Sequence, residues 1–113
     1  ANNDCCGIST TGWGEHFIRN VVAYDIAAQI IYNDKGIKEA SINSLDKVMK
    51  TGGDGGVIGL DNKGNISMEF NTAGMYRASI DKNGNLTVKI YSDWFKGLNT
   101  FLSLRFINIL FFE

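Results

Sequence analysis

The stretch Ser9-Thr10-Thr11-Gly12-Trp13-Gly14-Glu15-His16-Phe17-Ile18-Arg19 constrains this chain more than any other. It reads as a strand end, a glycine-hinged turn and the first turn of a long helix. Glycines on both sides of one residue allow a sharp change of backbone direction and leave amide N–H groups uncovered. The start of the following helix would add its unpaired donors and positive dipole end. Such a place can hold an anion or an oxyanion. Thr11 stands at the lip of the turn, its hydroxyl able to cap the helix or to face a ligand. A short Gly-x-Gly is equally compatible with a plain capped turn, so the residues alone leave both readings open.

A chain of 113 residues suffices for one domain with a modest core. Its net charge of −1 provides no basic footprint, which argues against nucleic-acid binding and against attraction to an anionic membrane. The adjacent cysteines, Cys5 and Cys6, would point to opposite faces of a strand, so free structural thiols in a reducing, cytoplasmic compartment are expected. With a single histidine, His16, no zinc ligand set can be assembled, and neither a metal nor a cofactor is expected. Ala1 is not an initiator methionine and no signal-peptide layout follows, so a processed or truncated start is expected.

Small and β-branched residues from Asp4 to Thr10 suit a short strand. From Glu15 to Tyr32, Phe17, Val21, Tyr24, Ala28 and Ile31 recur at helical spacing, with Ile18, Val22, Ile26 and Ile30 widening the stripe. One helix buried over most of its girth is therefore expected, closed by Asn33-Asp34-Lys35-Gly36 with the glycine in the left-handed cap position. A second helix should run from about Ile37 to Met49, with Ala40, Leu45, Val48 and Met49 inward. Thr51-Gly52-Gly53-Asp54-Gly55-Gly56 lacks the Lys-Ser/Thr of a phosphate loop and reads as a flexible connection into a strand.

Leu60-Asp61-Asn62-Lys63-Gly64-Asn65-Ile66 and Ile80-Asp81-Lys82-Asn83-Gly84-Asn85-Leu86 repeat one hairpin-turn pattern. Strands are thus expected over about Val57–Leu60, Asn65–Phe70, Arg77–Ile80 and Asn85–Tyr91, with Asp61 and Asp81 as turn formers. The run from Phe70 to Arg77 should hold a bulge or loop, with Met75 and Tyr76 as packing residues. The apolar tail over 92–113 is too short to span a bilayer, so membrane insertion is not expected. An added core element, a partner or membrane surface, and a non-native extension all stay open for it.

Specific words join this order of elements. Ala1-Asn2-Asn3, Ile8 through Arg19, Ala23-Tyr24-Asp25-Ile26-Ala27-Ala28, and Phe70-Asn71-Thr72-Ala73-Gly74-Met75-Tyr76-Arg77-Ala78 resemble the C-terminal (β) subunit of the isoaspartyl peptidase/plant-type L-asparaginase family. The resemblance covers residues 1–91. Glycosylasparaginases share the Thr-Gly-x-Gly turn, but Glu15 to Arg19 and the Met75-Tyr76-Arg77 run look closer to the isoaspartyl branch. The resemblance implies an α+β chain, part of an αββα N-terminal-nucleophile hydrolase sandwich in the order β-α-α-β-β-β-β. It also implies self-cleavage that frees a threonine nucleophile, release of L-aspartate from L-asparagine or β-aspartyl dipeptides, and a dimer of αβ units. Thr11 matches a threonine that helps hold the attacked carbonyl oxygen, Gly12 an oxyanion-hole N–H, and Gly14 a holder of the substrate α-carboxylate. The nucleophile, the N-terminal part of the β-subunit with its substrate-binding Arg and Asp, and the α-subunit have no counterpart in this sequence. Arg19 and Arg77 do not replace them. The chain alone is expected to be inactive; an aspartate-binding module and an assembly module using the tail are the competing readings.

Overall fold

The computed structural model describes residues 1–92 of the chain. It divides into two compact units, Ala1–Asn71 and a second beginning at Thr72. The mixture of helix and strand is the expected α+β class.

In the first unit β1 (Cys6–Gly12), β2 (Gly55–Asp61) and β3 (Ile66–Phe70) form an antiparallel sheet in that order. Between β1 and β2 come α1 (Gly14–Arg19), α2 (Val22–Asn33) and α3 (Ile37–Lys50). Phe17, Val22, Ile26, Ala40, Leu45, Val48 and Val57 make one buried cluster between the helices and the sheet. Cys5, Cys6 and Ile37 make a second, and Ile8 and Ile30 pack against both.

The register fixes which residues share a sheet face, because side chains alternate along a strand. Val57 lies in the core under the helices, and a Cβ on Gly55 or Gly59 would strike Phe17 or Ile37. Their partners across the ladder are Gly12, Thr10 and Ile8, which therefore face the helices too. Ser9 and Thr11 face the other way, in rows with Ile58 and Met68, and with Gly56 and Phe70.

The single long helix expected over Glu15–Tyr32 is broken. Asn20 ends α1, its backbone N–H and its side-chain amide both donating to the His16 carbonyl, the latter at 2.8 Å. Val21 then takes a left-handed conformation with φ of 48°, strained for a β-branched residue. The break resets the helical phase. Val22, Ile26 and Gln29 point into the core, whereas Val21, Tyr24, Ile31 and Tyr32 are exposed. The expected burial over most of the girth is thus replaced by a one-sided helix. Asp34, at φ of 53°, takes the left-handed cap assigned to Gly36, and Gly36 instead opens α3 in an extended conformation.

Helix α3 buries Ile37, Ala40, Ser41, Ser44, Leu45 and Val48. Met49, expected inward, is exposed because it lies one residue round from Val48. Polar groups join α2 to α3. Asp25 Oδ2 accepts hydrogen bonds from Ser44 Oγ at 2.5 Å and Gln29 Nε2 at 3.0 Å, and its Oδ1 accepts from Lys47 Nζ at 2.6 Å. Asn43 Nδ2 donates to Gln29 Oε1 at 3.0 Å, completing the partners of the buried amide.

The β2–β3 loop closes as expected. Asp61 Oδ1 accepts the N–H groups of Lys63 and Asn65, its Oδ2 accepts Asn65 Nδ2, and Gly64 supplies a φ of 87°. In the second unit β4 (Gly74–Ile80) and β5 (Leu86–Tyr91) form a two-stranded hairpin. Asp81 repeats the loop chemistry on Asn83 and Asn85. Strand β4 starts three residues before the expected Arg77, and a register shift between Gly74 and Arg77 supplies the expected bulge. The Arg77 guanidinium donates to the carbonyls of Met75, Ile90 and Tyr91. The apolar tail lies outside the described residues. Among the described residues no helix is long and apolar enough to cross a membrane.

Candidate functional site

The turn after β1 owes its shape to Gly12. Its φ is 128°, and a Cβ there would lie 2.2 Å from the Asp54 carbonyl oxygen and 2.6 Å from Gly55 Cα. Both are backbone atoms, so neither can rotate aside. One residue on, the Trp13 N–H donates to the Asp54 carbonyl at 3.0 Å, pinning the turn to the segment that enters β2. From the other side, a Cβ on Gly55 would lie 2.1 Å from the Thr11 carbonyl oxygen. Two glycines thus allow two backbones to touch where β1 ends and β2 begins.

Gly14 behaves differently from the expectation that both glycines shape the turn. It opens α1, no atom lies within 4 Å of where its Cβ would be, and its φ is not positive. What it contributes is uncovered backbone beside open space. The helix it opens is also short, six residues instead of eighteen, which removes most of the dipole expected behind the turn.

Thr11 is the last side chain of β1 before the turn. The N-cap of α1 is Trp13, with no side-chain cap bond, so capping is not the role of the Thr11 hydroxyl. Its row across the sheet is Gly56 and then Phe70, and the glycine leaves no side chain beside Thr11 on β2. Thr10, on the helix side, lines a shallow depression of about 370 Å³ with Gly14, Phe17 and Ile18. Thr11, Gly12 and Gly14 thus share one turn, with Thr11 projecting to the sheet face away from the helices.

The turn's support includes a residue to which the sequence assigned no role. Asn71 Oδ1 accepts the Gly55 N–H at 2.7 Å, its backbone N–H donates to the Gly55 carbonyl at 3.0 Å, and its Nδ2 donates to the Gly53 carbonyl at 3.3 Å. An Asn at the end of a strand, with donor and acceptor on one side chain, was the available signal. The 51–56 segment is therefore held from two sides and is not the flexible connection expected. Its glycines serve close approach: a Cβ on Gly53 would lie 2.5 Å from His16 Cβ. His16 and Asn20 in turn reach Thr51 Oγ1, at 3.3 and 3.1 Å.

The carboxylates near loops are spent on structure. Partial burial pushes the Asp61 carboxyl up, but hydrogen bonds from the Asn65 side chain, Asn65 N–H and Lys63 N–H prevail and hold it below the usual carboxylate range. The Asn85 side chain and N–H hold Asp81 low in the same way. Neither carboxyl is poised as an acid or base.

The model of a family described as Asparaginase matches residues 1–90. An isoaspartyl peptidase of Escherichia coli is 47% identical over 79 residues, covering 69% of this chain and 25% of its own length. One of Salmonella typhimurium is 44% identical with the same coverage. A relative from Dictyostelium discoideum, whose description pairs isoaspartyl peptidase with L-asparaginase, is 42% identical, covering 79% of this chain and 28% of its own length. The chain spans about a quarter of the length of these relatives. With the family model covering the whole of β1 through β4 and the turn that joins β1 to α1, the chain belongs to the isoaspartyl peptidase/L-asparaginase family of hydrolases.

Proposed function

We propose that this chain supplies the oxyanion- and carboxylate-holding part of a small-molecule amide hydrolase that releases L-aspartate from L-asparagine or β-aspartyl dipeptides. The observation that carries the reading is the Gly12 turn, whose backbone contact with Asp54 and Gly55 admits no side chain. A turn held by backbone contact suits stabilisation of charge that develops on an attacked carbonyl oxygen. In this reading the Thr11 hydroxyl and the Gly12 N–H donate to that oxygen, and the Gly14 backbone receives the substrate α-carboxylate. Attack comes from the hydroxyl of a threonine in a part of the enzyme outside this chain, freed by self-cleavage, with its own amine as base. That part, together with the α-subunit, also supplies the Arg and Asp that hold the substrate, and the whole enzyme assembles as a dimer of αβ units. By itself the 113-residue chain stabilises a transition state that nothing initiates, so it is inactive. Free Cys5 and Cys6 fit a reducing, cytoplasmic setting.

The test is a splice. Residues 1–91 replace the matching segment of the E. coli isoaspartyl peptidase, and aspartate release from a β-aspartyl dipeptide is measured beside the isolated chain. The spliced enzyme should turn over and the isolated chain should not. Hydrolysis by the isolated chain overturns the claim of dependence on outside residues; a folded but inactive splice overturns the family role of this turn.

A further inference from the structure

Cys5 and Cys6 do not diverge as neighbours on a strand would. Cys5 precedes β1, in a turn where the Asn2 carbonyl accepts the N–H groups of both Cys5 and Cys6, at 3.0 and 2.9 Å, while Asn2 N–H donates to the Cys6 carbonyl at 2.9 Å. That turn swings the Cys5 side chain to the side taken by Cys6, and the two Sγ atoms lie 3.4 Å apart, both free. Adjacent Cα atoms stand about 3.8 Å apart across a trans peptide, short of the roughly 4.4–6.8 Å that disulfides span. Direct bonding of the two sulfurs is therefore disfavoured, whereas one atom set between them meets both without that constraint.

We propose that Cys5 and Cys6 form a dithiol site for trivalent, thiophilic arsenicals of the class R–As(OH)₂. Cys6 also lines a cavity of about 330 Å³ with Ile8, Tyr24, Ala28, Ile31 and Tyr32. Tyr24 and Tyr32 in its lining are 65% and 74% exposed, and its apolar side chains suit an aryl substituent on the arsenic. Among the described residues no cluster of three or more His, Cys, Asp and Glu could hold a metal ion, so the pair suits a centre that needs two sulfurs more than a tetrahedral one. Burial, then the bond with Cys5, push the Cys6 thiol up to about 12, so it is neutral at neutral pH. In the reaction two As–S bonds form while two S–H and two As–OH bonds break. The protons leave with the hydroxides as two waters, and arsenic stays trivalent, so no oxidant is needed.

The experiment titrates the pre-reduced 113-residue chain with phenylarsine oxide under native conditions, reading free thiols and intact mass. Both thiols should disappear per arsenical bound, with one phenylarsenic group replacing two hydrogens. Ethanedithiol should release it and an equal thiol concentration of glutathione should not. Cys5→Ser and Cys6→Ser should each weaken binding roughly 100-fold, the usual gain from joining two attachment points. Loss of one thiol per arsenical, equal release by glutathione, or reaction only after unfolding in urea overturns the proposal, and none of these three readouts depends on how well the variants fold.

Discussion

Replacing Gly12 by alanine should destabilise the chain by about 2–4 kcal/mol, and the structure shows where that comes from. The new Cβ would lie 2.2 Å from Asp54 O and 2.6 Å from Gly55 Cα, so the backbone of one strand end must retreat. A non-glycine residue held at φ of 128° adds about 1–3 kcal/mol of strain. The retreat also lengthens the Trp13 N–H···O=C Asp54 bond, worth about 0.5–1.5 kcal/mol. Against a domain stability of roughly 5–15 kcal/mol, this is readily measured as a fall in the urea midpoint at unchanged slope. The control is Gly14→Ala, two residues away in the first turn of α1, where the Cβ meets nothing. It should be neutral or stabilise by up to about 1 kcal/mol. If Gly12→Ala unfolds within about 0.5 kcal/mol of the parent, or Gly14→Ala costs as much, the account of the turn is refuted.

Asn71→Ala should cost about 1–3 kcal/mol, because it leaves the Gly55 N–H without its side-chain acceptor; urea unfolding checks this, and a change within 0.5 kcal/mol removes Asn71 from the turn's support. Val21→Gly should stabilise by about 1 kcal/mol by relieving the left-handed strain, read as a raised melting midpoint; a lowered midpoint would show that the exposed side chain matters more than the strain. Partial burial pushes the Asp25 carboxyl up, but hydrogen bonds from Lys47, Ser44 and Gln29 prevail and hold it below the usual carboxylate range. Its folded-state pKa lies below its unfolded one, so its contribution is full above about pH 4 and is lost as pH falls through the folded value. Asp25→Asn should therefore flatten the acid limb of stability against pH below about 4, and an unchanged limb would contradict the network.

The strand-to-helix turn and both Asp-x-x-Gly-Asn loops were legible because their chemistry is local: Asp61 and Asp81 bond N–H groups two and four residues ahead. Helix α3 was legible because its apolar spacing and its neighbours agree. The break at Val21 was not, since the apolar stripe continues through it and the interruption depends on Asn20 turning back to the His16 carbonyl. Which of the two turn glycines is indispensable was equally hidden. That depends on Asp54 and Gly55, some forty residues away in sequence, arriving against Gly12. The meeting of Cys5 and Cys6 escaped the alternation rule because the rule holds within a strand and Cys5 lies before one.

The spliced enzyme tests the proposed action of the Thr11 hydroxyl on the reacting carbonyl through paired substitutions. Thr11→Ser keeps a hydroxyl at the end of β1 and should retain most of kcat. Thr11→Ala should lower kcat by about 10²–10³, the usual cost of one oxyanion donor, with the urea midpoint little changed. Equal activity of the two variants would contradict the account.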